Sequence, residues 1–195
     1  MTHAGLHAQQ GCTDPLAINY SSNASVNDGS CVYESTNYTM ENIADLNGSI
    51  LNENSGIIFL NDHLLTINDG GNSNTIFEID TLGSIIREIT VLNASNVDWE
   101  AISQNSQSVF VGDIGNNSGS RENLCIYEIS KSEIQDPSIN EVVATRRVFR
   151  YEDQVEFTWN SNAHNYDCES FICTEDSIYL FSKNWLDEKT KLYGL

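Results

Sequence analysis

The stretch "NVDWEAIS" at 96–103 sets Asp98 and Glu100 two residues apart. On an extended strand such residues share a face, which would hold the two carboxylates roughly 7 Å apart. A second stretch, "NYDCESFI" at 165–172, repeats the arrangement with Asp167 and Glu169. Carboxylates in this pattern have three uses. An oxygen-rich ring suits a hard cation such as Ca²⁺, which takes about 6–8 oxygen ligands. A carboxylate pair can do acid–base work on an ester or glycoside. The same side chains can also accept hydrogen bonds from backbone N–H groups of neighbouring elements and serve only to space them.

The positioning elements read as short strands. "GIIFL" (56–60), "LLTI" (64–67), "TIFEID" (75–80) and "SIIREIT" (84–90) are apolar or alternating runs separated by turn residues, which predicts an antiparallel meander. The pattern restarts with "EAIS", "SVFVG", "LCIYEI" and a later strand "VVATRRVFRY". A third start reads "ESFIC", "SIYLFS" and "KLYGL". Aligning Gly56, Ala101 and Ser170 gives spacings of 45 and 69 residues. The first is the length of a four-stranded propeller blade. The second carries an insertion, "SKSEIQDPSIN", where Ser130 and Glu133 are placed to cap one helical turn. The expected fold is all-β: a partial β-propeller of four-stranded antiparallel blades over 53–195, with three blade starts. Propellers close with about 4–8 blades, so the reading is of the N-terminal part of a longer protein.

Chain direction then gathers the acids. The start of a blade's first strand and the end of its second lie at one end of the channel. That places Glu53 and Asp69 of the first blade, Asp98, Glu100 and Asp113 of the second, and Asp167 and Glu169 of the third around one mouth, beside Lys183 and Asn184.

Composition excludes several functions. Lys and Arg number 9 against 28 Asp and Glu, a formal net charge of -19, which repels phosphate backbones and argues against nucleic acid. No apolar run approaches the ~18 residues of a membrane span. HExxH, paired CxxC, phosphate-loop and GxSxG patterns are absent, and His3, His7, His63 and His164 lack ligand spacing. Trp99, Trp159 and Trp185 fit either blade packing or a carbohydrate-binding mouth.

Five cysteines are present, at 12, 31, 125, 168 and 173. Cys12 and Cys31 bracket a compact polar segment and are the expected disulfide. Cys168 and Cys173 sit about 16 Å apart on one strand, too far for a bridge. Residues 1–10 read as the remnant of a signal peptide or a disordered start, with Ala8 as the small residue before a cut. Residues 34–52 read as a linker or closing strand.

Residues 11–33, "GCTDPLAINYSSNASVNDGSCVY", resemble the "GCTDP…A.NY…A…DGSC" module of secreted and surface proteins of Bacteroidota, and more distantly the thrombospondin type 3 calcium repeats. The resemblance implies an extracellular disulfide-closed loop that holds calcium through Asp14, Asn27 and Asp28, or else a knob held by its disulfide alone. EF-hand spacing fits poorly, since it would put Ala24 and Val26 where oxygen ligands belong. The run "SGIIFLNDHLLTINDGG…VDWEAI", with "VGDIGNN", "YDCES" and "LFSKNW", resembles phytase-like and SdiA-regulated propellers and secreted Bacteroidota propellers exported by the type IX pathway. That resemblance implies a secreted or surface location and calcium. The functional expectation is a binding module for an extracellular carbohydrate or protein, with calcium at the channel mouth. The alternative is a secreted calcium-dependent hydrolase of phosphoesters or esters using the same carboxylates.

Overall fold

The computed structural model describes residues 8–195. His3, His7 and most of the 1–10 leader segment lie outside them. The chain divides into two compact units, Met1–Asn42 and Ile43–Leu195.

Among its described residues the first unit has almost no apolar interior; Cys12 and Ala17 are the buried hydrophobic ones. Covalent and polar ties replace a core. Cys12 and Cys31 form a disulfide across 19 residues, a closure that contributes about 3 kcal/mol. Strand β1 (Gln10–Gly11) pairs in parallel with β2 (Val26–Asn27). The Asn19 amide takes the place of a missing strand neighbour. Its Nδ2 donates to the Ser30 carbonyl at 2.6 Å, and its Oδ1 accepts from the Val32 N–H at 2.7 Å.

The second unit is built from three successive antiparallel meanders. The first holds β3 (Asn54–Leu60), β4 (His63–Asn68), β5 (Thr75–Ile79) and β6 (Ile85–Val91). The second holds β7 (Trp99–Gln104), β8 (Ser108–Asp113) and β9 (Cys125–Ser130). The chain then runs through a single-turn helix α1 (Lys131–Gln135), β10 (Glu141–Val142) and β11 (Thr145–Val148). The third sheet holds β12 (Asp167–Cys173), β13 (Ile178–Lys183) and β14 (Leu192–Gly194). The first strands of the sheets are neighbours, with β7 packed between β3 and β12.

Strand β8 shows why the sheets stack. All six of its residues are buried, and alternate side chains point to opposite faces. Val109 and Val111 join Leu65, Ile67, Ile76, Ile89 and Trp99 in a core shared with the first sheet. Phe110 joins Phe171 and Leu180 in a core shared with the third. Between them Gly112 leaves room for a ring, since a Cβ there would meet Phe171 Cε1 at 2.8 Å. The β3–β4 hairpin turns on Asn61 and Asp62, both left-handed (φ 50° and 64°), the geometry of a two-residue type I′ turn.

Two sequence expectations change. The single strand foreseen over "VVATRRVFRY" splits: β10 adds in parallel to β6 of the first sheet, and β11 pairs with β9 of the second. Asn93 fixes the break, donating to the Ala144 carbonyl and accepting from its N–H, each at 2.8 Å. Arg87 anchors the insertion by donating to the carbonyls of Ile134, Asp136 and Ile139. Helix α1 has Ser130 at its N-cap position, but the hydroxyl pairs with Ser132 at 2.8 Å instead of capping the helix. Residues 34–52 form no strand, in keeping with the linker alternative, and Leu51 packs with Phe77 and Ile79. Cys125, Cys168 and Cys173 are all free. Among the described residues no helix is long and apolar enough to cross a membrane.

One irregularity recurs. The register between first and second strands steps by one residue at the same place in each sheet, between Asn54 and Gly56, Trp99 and Ala101, and Cys168 and Ser170. Each step is a β-bulge, which kinks the strand and re-aims the extra side chain. The extra residues are Ser55, Glu100 and Glu169.

Candidate metal centre

Two of the bulge residues are the acids singled out by spacing. Glu100 is the bulge of β7, and Asp98 lies just before that strand. The main chain at Asp98 is clamped by the end of β8. Its N–H donates to Asp113 Oδ1 at 3.0 Å, and its carbonyl accepts from the N–H groups of Ile114 (3.1 Å) and Gly115 (3.2 Å). Asp69 arrives from the first sheet, directly after β4. Asn96 ties it in, donating from Nδ2 to the carbonyls of Asn68 (3.0 Å) and Asp69 (2.9 Å).

One ligand oxygen from each of Asp69, Asp98 and Glu100 lies within 4.8 Å of the other two. The bulge brings the Asp98 and Glu100 groups closer than the roughly 7 Å of a regular strand. The backbone closes over them. A Cβ at Gly70 would stand 2.5 Å from Asp98 Oδ1, and one at Gly115 would stand 2.5 Å from Glu100 Oε1. Only glycine fits either position.

Asp69 Oδ1 accepts from the Gly70 N–H at 2.5 Å; among the described residues the other two carboxylates have no backbone donor. Glu100 is 7% exposed, yet among the described residues no N–H donates to its carboxylate or to that of Asp98, and the partner of Glu100 is another carboxyl group, that of Glu169. Buried carboxylates are ordinarily paired or hydrogen-bonded. The electrostatic result is large. Burial pushes the Asp98 carboxyl up to about 6, with Asp69 adding to the rise and Arg121 opposing it. Burial and then the charges of Glu169, Asp69 and Asp98 push Glu100 well above the usual carboxylate range.

The other predicted acids are already engaged. Asp113 accepts from the Asp98 N–H and, at 2.7 Å, from Arg121 Nη2. Asp167 is fully buried. Its Oδ1 accepts from the N–H groups of Asn116 (2.7 Å) and Cys168 (3.0 Å), and its Oδ2 from Trp185 Nε1 at 2.9 Å. Both therefore do the spacing work that was one reading of the pattern, locking the loop after β8 to its neighbours. Glu169 pairs with Lys183 at 2.5 Å. Glu53 is exposed and accepts from Asn72 Nδ2 at 2.8 Å.

In the first unit Asp14 accepts from the Leu16 N–H (2.9 Å) and from the Tyr33 hydroxyl (2.7 Å). Asn27 and Asp28 accept from the N–H groups of Gly29 and Ser30, each at 3.0 Å. All three side chains thus serve the module's own turns. Trp99 is buried in the core, Trp159 is exposed, and Trp185 donates to Asp167 and lies under the Lys183 ammonium.

Sequence reasoning missed Arg121, Gly70 and Gly115. Arg121 neutralises Asp113 and donates from Nη1 to the Gly115 carbonyl at 2.7 Å, so it holds the loop that covers the site. A signal was present: with 9 basic residues in the chain, an Arg eight positions after a predicted mouth Asp is a rare neighbour. The ligand set offers carboxylate oxygen and no thiolate or imidazole, which suits a hard divalent cation rather than zinc.

Comparison of the chain with family models, with curated proteins and with solved structures finds no match.

Proposed function

We propose that this chain is an extracellular β-propeller binding module whose acidic centre takes a divalent cation of the calcium class. The observation that carries the reading is the meeting of three carboxylate oxygens within 4.8 Å, from half-buried Asp69 and Asp98 and buried Glu100, with no N–H group donating to Asp98 or Glu100 among the described residues. Three carboxylates at this separation cannot all ionise without strong repulsion in a partly desolvated site, and a divalent cation converts that repulsion into coordination. The propeller reading is supported by three consecutive meanders, by their adjacent first strands and by a bulge repeated at one register position. The Cys12–Cys31 bridge favours an oxidising, secreted or surface location. The cation would fix the ends of β4 and β7 and so present a stable face to a carbohydrate or protein partner.

Thermal melting tests this. Adding Ca²⁺ at a hundred times its Kd should stabilise the wild type by about 2.7 kcal/mol, and chelator should reverse the gain. Asp98→Asn should melt at one temperature with or without Ca²⁺. Equal Ca²⁺ responses in both proteins would refute the site.

A second reading, hydrolysis of a phosphoester or ester, draws on the raised Glu100 carboxyl, which holds a proton at neutral pH as a general acid must. Turnover of aryl phosphate or ester substrates that disappears in Glu100→Gln would favour it over the binding role.

A further inference from the structure

The sheets of the second unit stack through equivalent positions. Ile57, Ile102 and Phe171 are each the second residue after the bulge of their strand. Ile102 is buried in the core shared with the first sheet and Phe171 in the core between the second and third, at 7% and 3% exposed. Ile57 holds the same place on β3 and is 53% exposed; Phe59, two residues on, is 57% exposed. Ile58 and Leu60 point the opposite way, into the core shared with the second sheet. Leu51 covers the outer face of the first sheet over Phe77 and Ile79, and Ile57 and Phe59 stay open.

The third sheet carries the matching half of such a junction. By register, Tyr179 and Phe181 of β13 stand where Leu65 and Ile67 stand on β4. Leu65 and Ile67 are 1% and 0% exposed, buried in the core between the first and second sheets. Tyr179 and Phe181 are only half-buried. Ile172 (49% exposed) pairs across from Tyr179, and Leu192 (62% exposed) across from Phe181. These four form one apolar face, turned away from Phe171 and Leu180 in the core. Lys183 and Lys189 line the groove over Phe181, at the end of β13. The corresponding end of the first sheet starts at Glu53, which is exposed.

We propose that a second copy of this chain covers these faces. The third sheet of one copy stacks on the first sheet of the other, in the register used between sheets within each copy, and two such junctions close a six-sheet ring. This rests on the propeller reading above and not on the cation. A head-to-tail contact runs on into a filament unless its rotation closes, and six sheets fall within the ~4–8 at which propellers close. Each junction sets Ile57 and Phe59 of one copy against Ile172, Tyr179, Phe181 and Leu192 of the other, the same kind of apolar contact as the two internal junctions. At its polar end, Lys183 and Lys189 approach Glu53 of the second copy. Each copy carries a net charge of -19, so salt should screen their long-range repulsion and tighten the pair.

Sedimentation equilibrium of the full chain over a dilution series tests this on wild type, Ile57→Asp, Ile172→Asp and an equimolar mixture of the two variants. Both positions are half open in the single chain, so the fold should persist, which circular dichroism checks. Phe59→Asp and Leu192→Asp form a second pair expected to behave alike. Wild type should sediment as two copies, more tightly at high salt. Either variant alone should associate roughly tenfold or more weakly, because a charge is buried at both junctions. The mixture should recover pairs, since the first sheet of Ile172→Asp and the third sheet of Ile57→Asp make one sound junction. Wild type that stays monomeric overturns the pairing and leaves the propeller reading standing. Undiminished pairing of Ile57→Asp overturns it too, because third sheets would then face each other, and so does a mixture that stays monomeric. Open-ended polymers of wild type overturn the ring and the propeller reading together.

Discussion

Asp98 carries a carboxyl whose folded form prefers the proton. Its ordinary value of 3.8 rises to about 6, chiefly through burial and the charge of Asp69. Between about pH 4 and 6 the folded chain therefore binds more protons at this group than the unfolded chain does. Stability from this source is fully present below the unfolded value and is lost as pH rises through the folded one. The cation-free protein should lose about 1–2 kcal/mol across that window, once water access to Asp98 is allowed for. Ca²⁺ should flatten the slope above pH 6. Asp98→Asn removes the charge and should raise the Tm of the chelated protein at pH 7.5 by roughly 2–4 °C per kcal/mol recovered. Melting scans in chelator across pH 4–8 decide both points, and a Tm that rises with pH in wild type would contradict the assignment. A substitution that stabilises the bare protein while abolishing its Ca²⁺ response is hard to explain by general damage.

At the level of elements, the centre depends on how closely the loops after β4 and β8 approach β7. Gly115→Ala would drive a methyl group into both the Asp98 and Glu100 carboxylates. Overpacking of this kind costs about 1–3 kcal/mol and should erase the Ca²⁺-dependent rise in Tm. Gly48→Ala, where a Cβ meets nothing within 4 Å, serves as the matched control and should change stability by less than about 0.5 kcal/mol. Strand order and most strand limits were legible in the sequence, because β4, β5, β8 and β9 are short runs rich in branched and aromatic residues bounded by turn residues. The equivalence of Gly56, Ala101 and Ser170 was legible too, and each is the first residue after its bulge. The bulges themselves were not, since an extra residue leaves no mark on a pattern already mixed in polarity. Nor could spacing separate Asp98 from Asp167. Both precede a bulge by two positions, yet Asp167 meets the N–H groups of Asn116 and Cys168 while no donor reaches the Asp98 carboxylate. That difference comes from the neighbouring loops.

For the whole molecule, the division at 42/43 separates two ways of being stable. The first unit relies on one covalent bridge and a handful of polar ties; the second has extensive apolar cores between its sheets. Replacing Cys12 and Cys31 by serine should therefore remove about 3 kcal/mol from the first unit, enough to abolish hydrogen-exchange protection across 9–33. Protection in the strands of 54–194 should stay as in wild type. Loss of protection in both units together would show that they fold as one.

The repeated bulge carries one more consequence. It is an address shared by three strands, and its contents differ: a hydroxyl at Ser55 that donates to the Trp99 carbonyl at 2.9 Å, a buried acid at Glu100 and a salt-bridged acid at Glu169. The backbone kink is the same in each case, so the scaffold is indifferent to which side chain fills the position. Single-residue exchange there can add, remove or retune a charged group without repacking a sheet, which makes the chemistry of this face separable from the fold that bears it.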